Sequence, residues 1–302
     1  MKVLIVGGTG MIGSNLAEWL AAHGAAVTLG ARHAPAPGTP MVRHALLLGD
    51  YTQGGYAVAE LARFDAVVFG AGNDIRHIGR DDDADTFWRT TQTEGVPAFV
   101  ARARQAGVQR LVQLGSYYHQ ALPHLVQTNA YVRARAEADN AARALAAPGF
   151  NVCTLNPPSI VGVPPGIAIR RYEKLVAYAR GQLDIPYYAP LGGTNYMSVR
   201  SLCEAVWGAL RHAESGQAYL IGDENLSFRD FFQLFFDAVG NPHRLEARDE
   251  DHPLQPVAFI VPGRNSVLSY APDPAQTTLL GYRRGDVRRA VGEVVRCYFR
   301  ID

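Results

Sequence analysis

Short apolar runs bounded by glycine alternate, through the first half of the chain, with stretches whose apolar residues recur every three or four positions. A continuous apolar run flanked by turn residues fits a strand buried on both faces, whereas the longer period fits a helix with one buried side. On that reading strands lie at Lys2–Val6, about Ala26–Ala31, Val42–Leu48, Ala66–Phe69, Arg110–Leu114 and Asn151–Leu155. Helices fit between them at Ile12–His23, Gln53–Ala62, roughly Thr86–Ala106 and Thr128–Ala147. Regular alternation predicts an α/β fold with a parallel, doubly wound sheet.

The second half changes character. Prolines cluster at Pro157, Pro158, Pro164 and Pro165, then at Pro186 and Pro190, with an amphipathic segment Ile169–Arg180 between them. Ser201–His212 reads as a helix and Tyr219–Ile221 as a short strand. Ser227 is placed to cap an aromatic helix Phe228–Val239. From Asn241 onward the tail reads as irregular and rich in proline and arginine. The expected organisation is a doubly wound domain over 1–160 and a smaller, mixed region over 161–302, with segments near 195–225 returning to the first domain.

Composition narrows the function. The 302 residues carry a formal net charge of +1, so no basic field draws nucleic acid or an anionic membrane. No apolar run approaches the ~20 residues needed to cross a bilayer. The chain opens directly on a core strand with no room for a signal peptide, and Cys153, Cys203 and Cys297 are widely spaced, so they read as reduced thiols of a cytoplasmic protein. The nine histidines are scattered and predict no metal site. Asp81-Asp82-Asp83 reads as a solvated loop or a helix start.

Candidate chemistry gathers at the strand ends. Lys2–Val6 breaks into Gly7-Gly8-Thr9-Gly10-Met11-Ile12-Gly13 and then into a helix, the context a dinucleotide pyrophosphate requires. The predicted strand-end loops Ala31-Arg32, Gly49-Asp50, Gly70–Asn73, Gly115–Tyr118 and Asn156–Ser159 share that edge, which favours an extended ligand. Ala31 stands where an acidic residue would bind the ribose of NAD, and the next residue is Arg32. It reads either as a fork for a 2′-phosphate or as a solvated loop arginine. Tyr131 and Arg135, four apart on one helical face, read either as an acid–base tyrosine with a supporting cation or as packing and surface charge. Ser116 is placed to bind the same substrate oxygen. Tyr172, Tyr187, Tyr188, Phe259 and Ile260 hint at a partly apolar substrate or belong to a core.

The glycine motif, Gly107–Ser116, Tyr131–Glu137 and Leu155-Asn156-Pro157-Pro158 together resemble the extended short-chain dehydrogenase/reductases. That superfamily includes the NAD-dependent epimerase/dehydratases and the dihydroflavonol-reductase-like enzymes. The resemblance implies a pyrophosphate loop made by Gly7, Thr9, Gly10, Met11, Ile12 and Gly13, with Arg32 at the NADP-selecting position. It implies Asp50 and Tyr51 near adenine, Gly70, Ala71 and Gly72 along the ribose and pyrophosphate, and Pro157 and Pro158 beside the nicotinamide. Ser116 matches the serine that positions the substrate carbonyl, and Tyr131 the proton donor. Arg135 stands where the family has lysine, and Gly115 replaces the first of a typical serine pair. The same resemblance implies a homodimer through the two helices flanking the sheet, the second alanine-rich at Ala134, Ala138, Ala141 and Ala142; ordinary packing on the sheet is the alternative.

The expected activity is an NADP(H)-dependent reduction of a small or medium, partly apolar ketone or aldehyde, or the reverse alcohol oxidation. Two alternatives stand beside it. One is a sugar-nucleotide epimerase or dehydratase, placed second because Arg32 argues against NAD and no basic pair in the second half stands out as a diphosphate pocket. The other is a non-catalytic NADP-binding regulatory or scaffold protein, suggested by Arg135.

Overall fold

The structure, a computed structural model, describes residues 1–79, 81–167 and 169–299. Arg80, Ala168 and residues 300–302 lie outside the described residues; Ala168 and 300–302 fall inside the 161–302 region drawn from the sequence.

The strands in chain order are β1 (Lys2–Val6), β2 (Ala26–Ala31), β3 (Ala45–Leu48), β4 (Ala66–Phe69), β5 (Arg110–Leu114), β6 (Asn151–Asn156), β7 (Ser159–Val161), β8 (Ala189–Pro190), β9 (Gly193–Ser198), β10 (Ala218–Leu220), β11 (Glu224–Ser227) and β12 (Ala247–Arg248). Seven of them form one parallel sheet in the order β10-β6-β5-β4-β1-β2-β3. Chain direction across the sheet reverses between β1 and β4, and ligands of such sheets sit beyond the strand ends at that reversal.

Alternate residues of β1 feed two different cores, as the period of two along a strand requires. Val3 and Ile5 pack with Leu16 and Leu20 of the helix Met11–Ala22 and with Leu202 and Val206 of the helix Val199–His212. Leu4 and Val6 pack on the other face with Phe99 and Val100 of the helix Gly95–Gln105 and with Ala138 and Ala142 of the helix Ala130–Ala144. Of the four alanines singled out on that helix, Ala138 and Ala142 thus lie in this core and Ala141 is half-buried. Ala134, Ala138 and Ala142 are buried within the chain itself, and the small side chains let the helix lie close on its own sheet.

A second core belongs to the C-terminal half. It joins the three-stranded sheet β11-β9-β7 to the helices Arg170–Ala179, Phe228–Val239 and Val287–Phe299. Tyr196 of β9 stacks on Phe231 with ring centroids 4.0 Å apart.

Several elements differ from the sequence reading. Only Ala45–Leu48 of the run Val42–Leu48 is strand; Pro40–Arg43 form a 3-10 turn, and His44 Nε2 is fixed 2.8 Å from Glu18 Oε1. Gln53–Ala62 is not one helix, because Gly54 is left-handed (φ 73°) and breaks it, leaving a helix at Val58–Leu61. Thr86–Ala106 divides into Ala84–Trp88, a π-helical turn Arg89–Thr93, and Gly95–Gln105. The wide turn brings the Thr90 carbonyl to 2.1 Å from where a Cβ on Gly95 would stand, so only glycine fits there. The tail is not irregular throughout: Asp273 caps a helix Pro274–Leu280, and Val287, Val291, Val294, Val295 and Tyr298 bury one face of the last helix. Strand β9, with its polar sequence, had no apolar run to announce it.

Among the described residues no helix is long and apolar enough to cross a membrane. Nor, among them, does any group of three or more His, Cys, Asp or Glu side chains gather as metal ligands would. Cys153 and Cys203 are buried and Cys297 is exposed.

Candidate active site

The turn after β1 is a backbone cradle. Gly7 (φ 85°) and Gly8 both donate to the carbonyl of Gly30, at 2.8 and 3.1 Å, which pins the turn to β2. A Cβ on Gly7 would meet the Ala71 nitrogen at 2.9 Å, and one on Gly13 would lie 2.2 Å from the Gly7 carbonyl oxygen. The helix Met11–Ala22 starts at Gly10 with no side chain capping its first N–H groups. Those groups and the positive end of the helix dipole therefore point out over the glycines.

One cavity of about 730 Å³ runs from this cradle across the strand ends. Gly7, Gly10, Met11, Ile12, Gly13, Gly70, Gly72, Ser116, Tyr131, Arg135, Pro157 and Pro158, all singled out from the sequence, line it. The other candidates sit outside that lining. Arg32 is exposed just past β2. Thr9 and Ala71 are half-buried in the cradle walls. Asp50 turns its carboxylate back onto Thr52, accepting from its N–H at 2.9 Å and its hydroxyl at 2.7 Å. Tyr51 is buried edge-on against Phe69, donates to the Thr91 carbonyl at 2.8 Å and accepts from Asn73 Nδ2 at 2.8 Å. Burial pushes its pKa up to about 12, so it stays a neutral phenol.

The three catalytic candidates all line this cavity. Ser116 is buried, yet among the described residues its hydroxyl has no protein partner. Tyr131 is half-buried, its ring 5.2 Å from Trp88 and 6.1 Å from Tyr118. Arg135 is buried and donates to the Leu114 carbonyl at 3.0 Å and to Gln92 Oε1 at 3.3 Å. Gln92, on the π-helical turn, in turn donates to the Asn73 carbonyl at 3.0 Å. The loop after β4 and the Tyr131 helix are thus bridged by a residue that the sequence reading passed over. An isolated glutamine in a helical stretch carries no local signal.

The far wall of the cavity is basic and aromatic. Arg76, His77, Arg171 and Lys174 line it, and Asp74 pairs with Arg76 and His77. Burial works against the Asp74 carboxylate, but hydrogen bonds from His77 and Arg76 outweigh it and hold the group well below the usual carboxylate range. Arg171 donates to Gln255 Oε1 at 3.3 Å. No local pattern hints that Arg171 and Lys174 face a ligand space, because that depends on how the helix Arg170–Ala179 docks over the strand ends. Of the aromatic and apolar candidates, Tyr172, Phe259 and Ile260 line the cavity. Tyr187 and Tyr188 belong to the C-terminal core, where Tyr187 packs edge-on against Phe236 and Tyr188 donates to the Asp251 carbonyl at 2.7 Å.

A parallel sheet reversing at β1, with a glycine cradle at its first strand end and one long crevice beyond, defines an α/β protein of the Rossmann class. The model of the family described as NAD dependent epimerase/dehydratase matches residues 3–222, and the chain belongs to that family. None of the curated proteins matches the sequence significantly. Similar solved structures share the fold at low identity. Gox2253 has a TM-score of 0.75 at 18% identity, with 99% of this chain and 97% of that one covered. UDP-N-acetylglucosamine 4-epimerase from Bacillus cereus gives 0.73 at 14% identity, covering 99% of each chain. MoeE5 in complex with UDP-glucuronic acid and NAD gives 0.73 at 16% identity, again over 99% of each.

Proposed function

We propose that this chain is a nicotinamide-dinucleotide-dependent oxidoreductase that interconverts a carbonyl and an alcohol on a small or medium, partly apolar substrate, with NADP(H) preferred. The observation that carries this reading is the convergence of Ser116, Tyr131 and Arg135 with the glycine cradle on one cavity. A cradle in which a Cβ on Gly7 or Gly13 would collide with backbone fits a pyrophosphate held against N–H groups. When bound, the dinucleotide supplies or accepts the hydride. Tyr131 donates a proton to the substrate oxygen in reduction and takes it back in oxidation. The Ser116 hydroxyl, with no protein partner among the described residues, orients that oxygen. Arg135 keeps positive charge close beneath the loop at Gly72, where the ribose would lie. Arg32 supports the preference for a 2′-phosphate, since an exposed guanidinium can fork onto it.

A second reading is a sugar-nucleotide epimerase or dehydratase. Arg171 and Lys174 on the cavity wall favour it, being placed to meet an anionic group. The solved relatives named for UDP-sugars point the same way. The deciding experiment titrates NADPH and NADH directly, then follows dinucleotide consumption optically across a carbonyl panel, with UDP-sugars assayed in parallel by product analysis. NADPH consumption with a carbonyl supports the first reading. Conversion of a UDP-sugar without net dinucleotide consumption replaces it with the second. Tight dinucleotide binding with no turnover of either kind leaves a binding protein.

A further inference from the structure

We propose that Asp139 is a positioning residue: buried behind the cavity, it fixes the loop that carries Ser116 against the end of β6. The inference rests on the oxidoreductase reading of the same site.

With its hydroxyl unpartnered among the described residues, Ser116 is aimed by the backbone on either side of it. On the N-terminal side, Gly115 donates to the Leu155 carbonyl at 2.7 Å, and a Cβ there would stand 1.9 Å from Asn156 Oδ1 and 2.8 Å from Thr154 Cγ2. The loop therefore lies flush on the Asn156 side chain. Asn156 can present only its oxygen to Gly115, because its Nδ2 donates to Asp139 Oδ2 at 3.0 Å and to Gln120 Oε1 at 2.7 Å. On the C-terminal side, His119 sits on the short helix Tyr118–Ala121, and its Nε2 lies 2.8 Å from the same Asp139 Oδ2. One carboxylate oxygen thus grips both sides of the serine loop.

Asp139 is itself held rigidly. It is fully buried, and its Oδ1 accepts from Arg143 Nε at 2.6 Å. Tyr131, Arg135 and Asp139 follow one another at four-residue steps, so one face of the helix Ala130–Ala144 carries all three. The helix that presents the proton donor thereby also sets the serine facing it. Asp139 touches neither cavity nor cofactor loop, and its effect reaches the substrate oxygen only through Ser116.

The test compares Asp139→Asn, His119→Leu and His119→Gln with the parent, reading kcat, KM, dinucleotide affinity and thermal midpoint. Misplacement of a reacting group by about an ångström can cost roughly 100-fold. Asp139→Asn puts an amide N–H₂ in place of one carboxylate oxygen, against either Arg143 Nε or the His119 and Asn156 pair, and should lower kcat by that order, with dinucleotide affinity within about threefold of the parent. His119→Leu, which leaves Asp139 with Arg143 and Asn156, should lower kcat by at least ~10-fold at unchanged KM. His119→Gln, whose amide nitrogen replaces Nε2, should recover most of it. A folded Asp139→Asn at parental kcat overturns the proposal, as does equal activity of the two His119 variants. A parent that turns over no carbonyl or alcohol overturns the oxidoreductase reading, and this inference with it.

Discussion

Arg135 donates to the Leu114 carbonyl at 3.0 Å, at the last residue of β5 and one step before the loop that carries Ser116. The guanidinium therefore belongs to the frame of the site as well as to its charge. It closes the end of β5, reaches Gln92 with its other nitrogen, and so ties the Tyr131 helix to the loop after β4.

Arginine is fitted to that fork, and lysine is not. An ammonium is a compact point charge that cannot span two acceptors set for a planar guanidinium. Arg135→Lys should leave the Leu114 carbonyl or Gln92 Oε1 unpaired, at a cost of about 1–3 kcal/mol in stability. Turnover should fall with it. Higher activity at an unchanged thermal midpoint would show that the fork serves nothing.

Removal of the Tyr131 hydroxyl is the direct test of proton transfer. Tyr131→Phe keeps the ring that packs against Trp88 and Tyr118, so folding and dinucleotide binding should persist. Turnover should drop by ~10²–10⁴-fold. Parental turnover in the phenylalanine variant rules out the tyrosine as acid.

Dinucleotide selection should reside in Arg32. The parent should bind NADPH more tightly than NADH, each tenfold preference corresponding to ~1.4 kcal/mol. Arg32→Ala should erase most of that difference and leave NADH affinity nearly unchanged. Equal dissociation constants in the parent would assign Arg32 to the solvated surface.

His252 makes stability pH-dependent. It is fully buried among Tyr178, Tyr188 and Phe232, and burial lowers its pKa to about 4 from the ordinary 6.5. Between those values the unfolded chain takes up a proton that the folded chain refuses. Stability is therefore full above pH 6.5 and falls as pH drops toward 4, by on the order of 3 kcal/mol over the window. Denaturant midpoints measured across that window should decline less steeply in His252→Gln than in the parent. Parallel slopes would mean that the imidazole titrates alike in both states.

Legibility in the sequence followed the range of the interactions. Strands β1 and β4 coincide with their predicted bounds, because Val3–Val6 and Ala66–Phe69 are unbroken apolar runs of the kind a strand buried on both faces requires. The glycine cradle was equally plain, since its steric demands are met within a few residues. The π-helical turn at Arg89–Thr93 was not, because it is specified by how Gly95 meets the Thr90 carbonyl rather than by a periodic pattern. The last helix hid behind its arginines, although Val287, Val291, Val294 and Tyr298 keep a regular apolar face. The basic wall was unreadable for a different reason. Arg76 and Arg171 are far apart in the chain and share a cavity only once the second lobe has docked.

Strand β10 has a bearing on how the chain comes to be assembled. It pairs Tyr219 with Leu155 and so covers the outer edge of β6, but only after β7, β8, β9 and the helix Val199–His212 have been made. During synthesis the edge of β6 therefore waits, its ladder groups unpaired, while the whole stretch between the two strands emerges. An open parallel edge of that kind is where a growing chain meets its neighbours. A chain stopped before residue 218 should be sticky and chaperone-dependent, and the seventh strand acts as the latch that ends that exposure.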